Sequence, residues 1–380
     1  MTTRRGGLDQ LLAAKEIVVF CGPGGVGKTS MAAAAAVGAA VRLGGKVLVV
    51  TVDPARRLAR ALGLSELGNT ETPIAADRFA AAGLAPRGEL WGAMLDTKQS
   101  WDDLVRRHAP DRRTADQILD NRLYHNLTAR FVQSHDYIAM ERLGEAHQRG
   151  TYDLIVVDTP PSRNALDFLE APQRMAEFFG GRLLRWLTMP YRLGGGRGGR
   201  MINLASKPFY QVADRLLGSQ FLEDIAEFFL SFQAMYDGFV ERAEAVERLL
   251  RDRRTTFVVV STLEAAPLRE AQFFVSALAQ RHLHLGAMIL NKTLPDFLLG
   301  EPEAASARVL MSDPVVDDPT VSRVLSTVGE SFLNFSVIAK REAELRAELA
   351  DAPELVLRVP YFDVDIFDLS GLARIGEHLF

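Results

Sequence analysis

The sequence is poor in thiols, in net charge and in long apolar runs, and each shortage removes a class of protein. Its 380 residues contain one cysteine, Cys21, which excludes an internal disulfide framework and any cysteine-rich metal cluster within one chain. Basic and acidic side chains nearly cancel, 44 against 48, so a net charge of −4 gives no global attraction for nucleic acid or acidic lipid. Nucleic acid is therefore not an expected partner. The longest uncharged run near the start, Met31 to Val41, falls far short of the ~20 apolar residues a membrane helix requires. Arg4 and Arg5 precede a short apolar stretch, but Lys15 and Glu16 interrupt any signal core. The expected compartment is the cytoplasm, with any membrane contact peripheral and made at the inner face.

What remains is the composition of an ordinary globular protein, 48% hydrophobic and 24% charged. The length exceeds the ~250–300 residues at which single cores stop growing, so one enlarged domain or two are expected. Ile17-Val18-Val19-Phe20 is short, apolar and largely β-branched, as a strand buried on both faces should be. Thr29 to Leu43 is an alanine-rich helix closed by Gly44-Gly45. The buried-strand pattern returns at Val47–Val50, Leu154–Val157, Phe257–Val260 and Met288–Leu290. Strands alternating with helices predict an α/β fold with a mainly parallel sheet flanked by helices.

Between the third and fourth of these strands the composition changes. Residues 181–200 carry five arginines and no acid, and apolar residues from Phe221 to Leu250 recur at helical spacing. Residues 165–250 are thus expected to form a helical subdomain inserted into a core made of residues 1–164 and 251–380. Residues 296–330, rich in Glu, Ala, Ser and Asp-Pro, are expected to form a mobile excursion.

Gly22 to Thr29 fits G-x-x-x-x-G-K-[ST], the loop that wraps backbone N–H groups around a β-phosphate. Within it Gly24, Gly25, Val26 and Gly27 supply the cradle, Lys28 reaches the β- and γ-oxygens, Thr29 ligates Mg²⁺ and Ser30 follows at the helix start. The same glycines satisfy G-x-G-x-x-G, and Asp53 stands where a dinucleotide fold places its ribose-binding acid. Lys28-Thr29 have no role in that second reading, and another strand ends in an acid at Asp158, so the nucleoside triphosphate is favoured.

Gly24 to Thr29, Asp53-Pro54-Ala55 and Asp158-Thr159-Pro160-Pro161-Ser162 together resemble the ArsA-type ATPases. That family includes the arsenite-pump ATPase and the ATPase that targets tail-anchored membrane proteins, and it is related to the Min and Par ATPases with a deviant phosphate loop. The resemblance implies a P-loop fold, ATP and Mg²⁺ as cofactors, and a nucleotide-driven dimeric switch coupled to a partner or hydrophobic client. It implies that Asp53 opens a switch segment and orients the attacking water, although Asp53-Pro54 also suits a helix N-cap followed by proline. With Lys28 it makes up the implied catalytic pair, and Thr29, Asp53 and Asp158 the implied magnesium set. Asn291 matches the family's adenine-contacting asparagine, and Pro360 and Tyr361 its C-terminal adenine loop. Asn291-Lys292-Thr293-Leu294 lacks the acid of a guanine motif, which favours ATP over GTP.

The sequence departs from the family at Pro23, where a lysine usually reaches into the partner subunit of a dimer. Arg56, Arg57 or Arg163 supplies a replacement cation, or the chain pairs with a paralogue, or hydrolysis is slow. The alternative function is accordingly a catalytically weak ATP-binding subunit that stabilises an active paralogue in a hetero-oligomer. One cysteine also leaves no multi-thiolate metalloid site, which makes arsenite pumping an unexpected activity. The inserted block, with Phe178, Phe179, Trp186, Met189 and Tyr191 among arginines, admits three readings: a packed cover, a groove for an apolar peptide, or a membrane-surface patch.

Overall fold

The computed structural model describes residues 7–52, 57–64, 66–122, 124, 125, 128, 132–159, 219–312, 318–349, 353 and 355–380. In chain order these form α1 (Leu8–Ala13), β1 (Ile17–Cys21), α2 (Lys28–Arg42), β2 (Lys46–Thr51), α3 (Arg57–Ala61), β3 (Thr72–Pro73) and α4 (Ala76–Ala81). Next come β4 (Glu89–Met94), α5 (Thr97–His108), α6 (Arg112–Asp120), α7 (Val132–Gln148), β5 (Leu154–Asp158) and α8 (Ser219–Arg251). The remainder is β6 (Thr255–Ser261), α9 (Ala265–Gln280), β7 (Leu285–Thr293), α10 (Glu301–Ser312), α11 (Pro319–Ala347), β8 (Leu355–Pro360) and α12 (Leu369–Leu379).

The strands make one eight-stranded sheet in the order β3-β4-β2-β5-β1-β6-β7-β8. Every pairing is parallel except β3 with β4, an antiparallel edge. The chain moves from β1 outward to β2 on one side, and after β5 crosses to β6 on the other. β1 is thus the point where strand order reverses, and ligands of open α/β sheets bind beside that point at the carboxyl ends of the strands.

Side chains alternate strictly across β1. Val18 and Phe20 enter a core shared with the alanine run of α2 and with Leu369, Leu372 and Ile375 of α12. Ile17, Val19 and Cys21 face the other layer, with Met140 and Leu143 of α7, Val246 and Leu250 of α8, and Leu268 and Leu278 of α9. Burying each such large side chain contributes about 1.5–3 kcal/mol, so two independent layers fix the register of the central strand. The small side chains of Ala32–Ala36, all fully buried, let α2 lie close against the sheet.

Three expectations need correction. The described residues 296–312 and 318–330 are not an excursion: a 3-10 turn over Asp296–Leu299 leads into α10, and α11 begins at Pro319. Asp318 caps α11 by accepting from the N–H groups of Thr320 (2.7 Å) and Val321 (3.3 Å), with Pro319 directly behind it. Glu301-Pro302 and Asp318-Pro319 are helix starts rather than loop markers. Secondly, β3, β4 and β8 are strands beyond the five apolar runs, and Val359-Pro360 is the end of the last of them. Thirdly, β7 is much longer than Met288–Leu290. Of the expected inserted subdomain, residues 219–250 lie in α8, whose last turns enter the core through Val246 and Leu250. Residues 165–218, with the aromatic and arginine-rich stretch, lie outside the described residues. Among the described residues no helix is long and apolar enough to cross a membrane.

Candidate nucleotide site

The site follows from what β1 does at its end. After Cys21 the chain turns through Gly22 (φ +137°), Gly25 (φ +77°) and Gly27 (φ +92°), a conformation that only glycine adopts without strain. Gly22 also passes so close to β6 that a β-carbon there would lie 2.2 Å from the Val260 carbonyl oxygen. At Gly25 a β-carbon would meet nothing within 4 Å, so the loop encloses open space. Gly27 is the N-cap of the 15-residue helix α2 and supplies no side-chain cap. The first N–H groups of α2 and its dipole therefore face the loop's interior, an arrangement that favours a phosphate.

Lys28 is 94% buried in the opposite sense to an ordinary surface lysine, only 6% exposed, and its Nζ donates to the Pro23 carbonyl at 2.7 Å. A cleft of about 320 Å³ opens above it, lined by Gly25, Gly27, Lys28, Thr29 and Ser30 on the loop side. Thr159, Asn291, Pro360 and Tyr361 line its other walls. Gly24 is exposed on the loop, and Val26 is buried beneath it.

Strand register assembles the remaining groups. Phe20 and Thr51 both lie level with Asp158, and Thr293 with Pro360, so the strand ends form one edge. Asp158 is fully buried and its Oδ2 accepts a hydrogen bond from the Thr51 hydroxyl at 2.9 Å. Its neighbour Thr159 ties β5 to β1 by donating its hydroxyl to the Phe20 carbonyl at 2.8 Å. A register shift between Leu290 and Thr293 interrupts the β7–β8 ladder, and Lys292 sits there at φ +57°. The bulge directs the Asn291 amide to the loop, where Nδ2 donates to the Val26 carbonyl at 2.8 Å. Its Oδ1 accepts from the Lys292 N–H at 2.9 Å, which fixes the orientation of the amide. Tyr361 is anchored by its backbone N–H to the Thr293 carbonyl at 3.1 Å, with its ring largely exposed.

The structure thus brings together Gly25, Gly27, Lys28, Thr29, Ser30, Asn291, Pro360 and Tyr361 around one cleft, with Asp158 buried next to the lining residue Thr159. Asp53, Pro54 and Arg56 lie outside the described residues, as does Arg163. Arg57, at the start of α3, lines the cleft, as do Lys292 and Asp365, none of them singled out for this cleft by motif except Arg57 as a replacement cation. Thr51 could be found only from strand register, since it lies 107 residues from its partner Asp158.

The donor set suits a nucleoside triphosphate carried with magnesium. Backbone N–H groups and the Lys28 ammonium would meet the anion, and Mg²⁺ commonly takes one or two carboxylates from protein, for which Asp158 at the end of β5 is the candidate beside the Thr29 hydroxyl. Among the described residues no group of three or more His, Cys, Asp or Glu forms a metal cage. Cys21 is no ligand candidate. It is buried, its Sγ is 3.5 Å from the Val258 carbonyl, and burial pushes its thiol well above the ordinary range despite the nearby Lys28 charge. We expect the folded protein to resist an aromatic disulfide reagent at mildly alkaline pH and to react stoichiometrically in denaturant. Fast labelling of the native chain would show that the thiol is accessible.

A glycine loop between the central strand and a capless helix, at the reversal point of a parallel sheet, defines a P-loop nucleotide-binding protein. Residues 15–309 match the ArsA ATPase family, described as anion-transporting ATPases, and the chain belongs to that family. An uncharacterized protein of Streptomyces coelicolor is 27% identical over 284 residues, 73% of this chain and 63% of that protein. The Aquifex aeolicus protein named "Putative arsenical pump-driving ATPase 1" is 22% identical over 369 residues, 96% of this chain and 78% of the other. ATPase BagA of Mycobacterium tuberculosis is 28% identical over 150 residues, 36% of this chain and 42% of that one. The match to the Streptomyces relative therefore spans less than two thirds of that protein's length.

Proposed function

We propose that the chain hydrolyses ATP with Mg²⁺ and acts as a dimeric, nucleotide-driven switch on a partner or hydrophobic client. The observation that carries this reading is Lys28, buried at the mouth of the glycine loop and held on the Pro23 carbonyl, where a phosphate oxygen would take over that hydrogen bond. When bound, MgATP supplies the γ-phosphoryl group and the divalent charge that neutralises it. The chain's own part is positional. Lys28 and the α2 N-terminus stabilise negative charge, Thr29 and Asp158 hold the metal, and Asp53 orients water in line. Thr51 keeps the Asp158 carboxylate oriented, and Asn291 with Pro360 and Tyr361 receives the base.

Asp158 begins the segment that leads into residues 160–218, so metal coordination and that segment are adjacent in the chain. This adjacency supports coupling of nucleotide state to a client. The Aquifex relative's name refers to an arsenical pump, but a chain with one buried thiol offers no multi-thiolate metalloid site, so we assign a different cargo.

A second reading rests on Pro23, which cannot supply a trans cation and whose carbonyl already engages Lys28. In that reading the chain binds ATP without turnover and stabilises a paralogue, with Arg57 and Lys292 as the cations that line the cleft besides Lys28 among the described residues. Phosphate release measured across a range of protein concentrations separates the two. A switch gives activity that rises faster than linearly with concentration and is lost in Asp53→Asn. Stable ATP binding with no release at any concentration supports the non-hydrolysing subunit.

A further inference from the structure

A second cavity, of about 140 Å³, lies between α5 and two helices of the layer opposite α2, α7 and α8. It shares no lining residue with the nucleotide cleft. A β-carbon on Gly144 would lie 2.6 Å from Val246 Cγ2, so α7 and α8 approach closely at that level. Charged groups then meet from successive helical turns: Arg107 and His108 of α5, Glu141, Arg142 and Glu145 of α7, and Arg242 of α8. Ion pairs order them. Glu145 accepts from Arg107 through Oε1 and from Arg142 through Oε2, the latter at 2.9 Å, and the buried Glu141 accepts from Arg242 Nε. Arg142 also donates through Nη2 to the Asn69 carbonyl at 3.1 Å. Despite partial burial, the charges of Arg142 and Arg107 hold the Glu145 carboxyl below its usual range, so it stays ionised.

Mutual pairing does not use up these charges. Among the described lining residues three guanidinium groups meet two carboxylates, an excess of one positive charge around a space larger than the ~30 Å³ of a single water. Arg107 donates through Nε to the Asp103 carbonyl at 3.3 Å and through Nη1 to Glu145, while its Nη2 has no partner among the described residues. Leu104 and Ile138, both buried, give the cavity an apolar wall, against which charge is screened less than in open water. We propose that the cavity binds a phosphate-sized tetrahedral oxyanion, held by Arg107, Arg142 and Arg242 from three helices. A planar carboxylate presents two oxygens along one edge and matches one guanidinium, whereas a tetrahedral ion offers oxygens to all three. His108 reports on the occupant. Partial burial and then the Arg242 charge hold its imidazole below the ordinary histidine range; Arg107 adds to this, and Glu141 and Glu145 oppose it. A dianion in the cavity reverses that balance in favour of the imidazolium, so binding tightens from about pH 8 to about pH 6.

Isothermal titration of the full chain with sodium sulfate at fixed ionic strength tests the proposal, since sulfate itself does not titrate in this range. Lys28→Ala, which removes the ammonium of the glycine loop, is expected still to bind one sulfate per chain. Adding Arg107→Gln, at an exposed position, should weaken that binding by about tenfold or more, the cost of losing a charged hydrogen-bond donor, with far-UV circular dichroism unchanged. Acetate should bind more weakly than sulfate. A second readout needs no arginine variant: the His108 ring resonance, assigned by its absence in His108→Gln, should titrate at higher pH with sulfate than without it. Sulfate bound only by chains that keep Lys28 would place the ion in the glycine loop and overturn the proposal. So would binding indifferent to Arg107→Gln, acetate as tight as sulfate, or a His108 titration that sulfate does not move. None of these measurements involves ATP, so failure of the nucleotide reading would leave their outcome intact.

Discussion

Lys28→Ala is expected to lower MgATP hydrolysis by about 10²–10³-fold or more, with the fold intact. Removing one preorganised charge from a developing anion costs that much, and here the charge is already in place. Lys28 is buried, held by the Pro23 carbonyl at 2.7 Å, and follows a helix cap with no side chain to compete for the anion. Exchanging that hydrogen bond for a phosphate oxygen moves the ammonium without dehydrating it further, so little reorganisation is needed on binding. The measurement is steady-state phosphate release, with circular dichroism to confirm folding. An alanine variant as active as the native chain would reduce Lys28 to a loop cap.

Gly22→Ala is expected to destabilise the fold by about 3 kcal/mol or more, a large share of the total stability of an ordinary domain. Two effects add at this position. The backbone has φ +137°, which an alanine reaches only under strain, and the new methyl would lie 2.2 Å from the Val260 carbonyl oxygen. That oxygen belongs to a neighbouring buried strand, so relief requires β1 and β6 to separate. Gly83→Ala is the control: φ is +71°, but a β-carbon there meets nothing within 4 Å. It should cost about 1–2 kcal/mol, from strain alone. Urea midpoints of the two variants measure the difference, and equal losses would mean that backbone strain, not the contact with β6, makes glycine necessary at 22.

The two variants also mark what could be read from sequence. β1, β2, β5 and β6 are legible because a strand buried on both faces writes itself as an uninterrupted apolar run. β4 is not, since Glu-Leu-Trp-Gly-Ala-Met alternates imperfectly and carries a glycine, and β8 is a half-buried edge strand interrupted by Arg358. The hairpin of α10 and α11 was hidden because proline and aspartate mark both loops and helix starts, and only the cap geometry at Asp318 decides between them. In the site, Lys28, Thr29, Asp158 and Asn291 were reachable because a loop motif and strand ends fix them along the chain. Thr51 and Lys292 were not: one is joined to Asp158 by register between distant strands, the other positioned by a bulge in β7. Lys28 and Thr29 favour a triphosphate over a dinucleotide, because a dinucleotide fold has no role for either.

Isothermal titration of the native chain with ATP in the presence of Mg²⁺, alongside GTP and NAD, asks what the cleft holds. The expected result is one ATP per chain, weaker GTP, no NAD, and loss of ATP binding in Lys28→Ala. Binding of NAD with no uptake of ATP would contradict it.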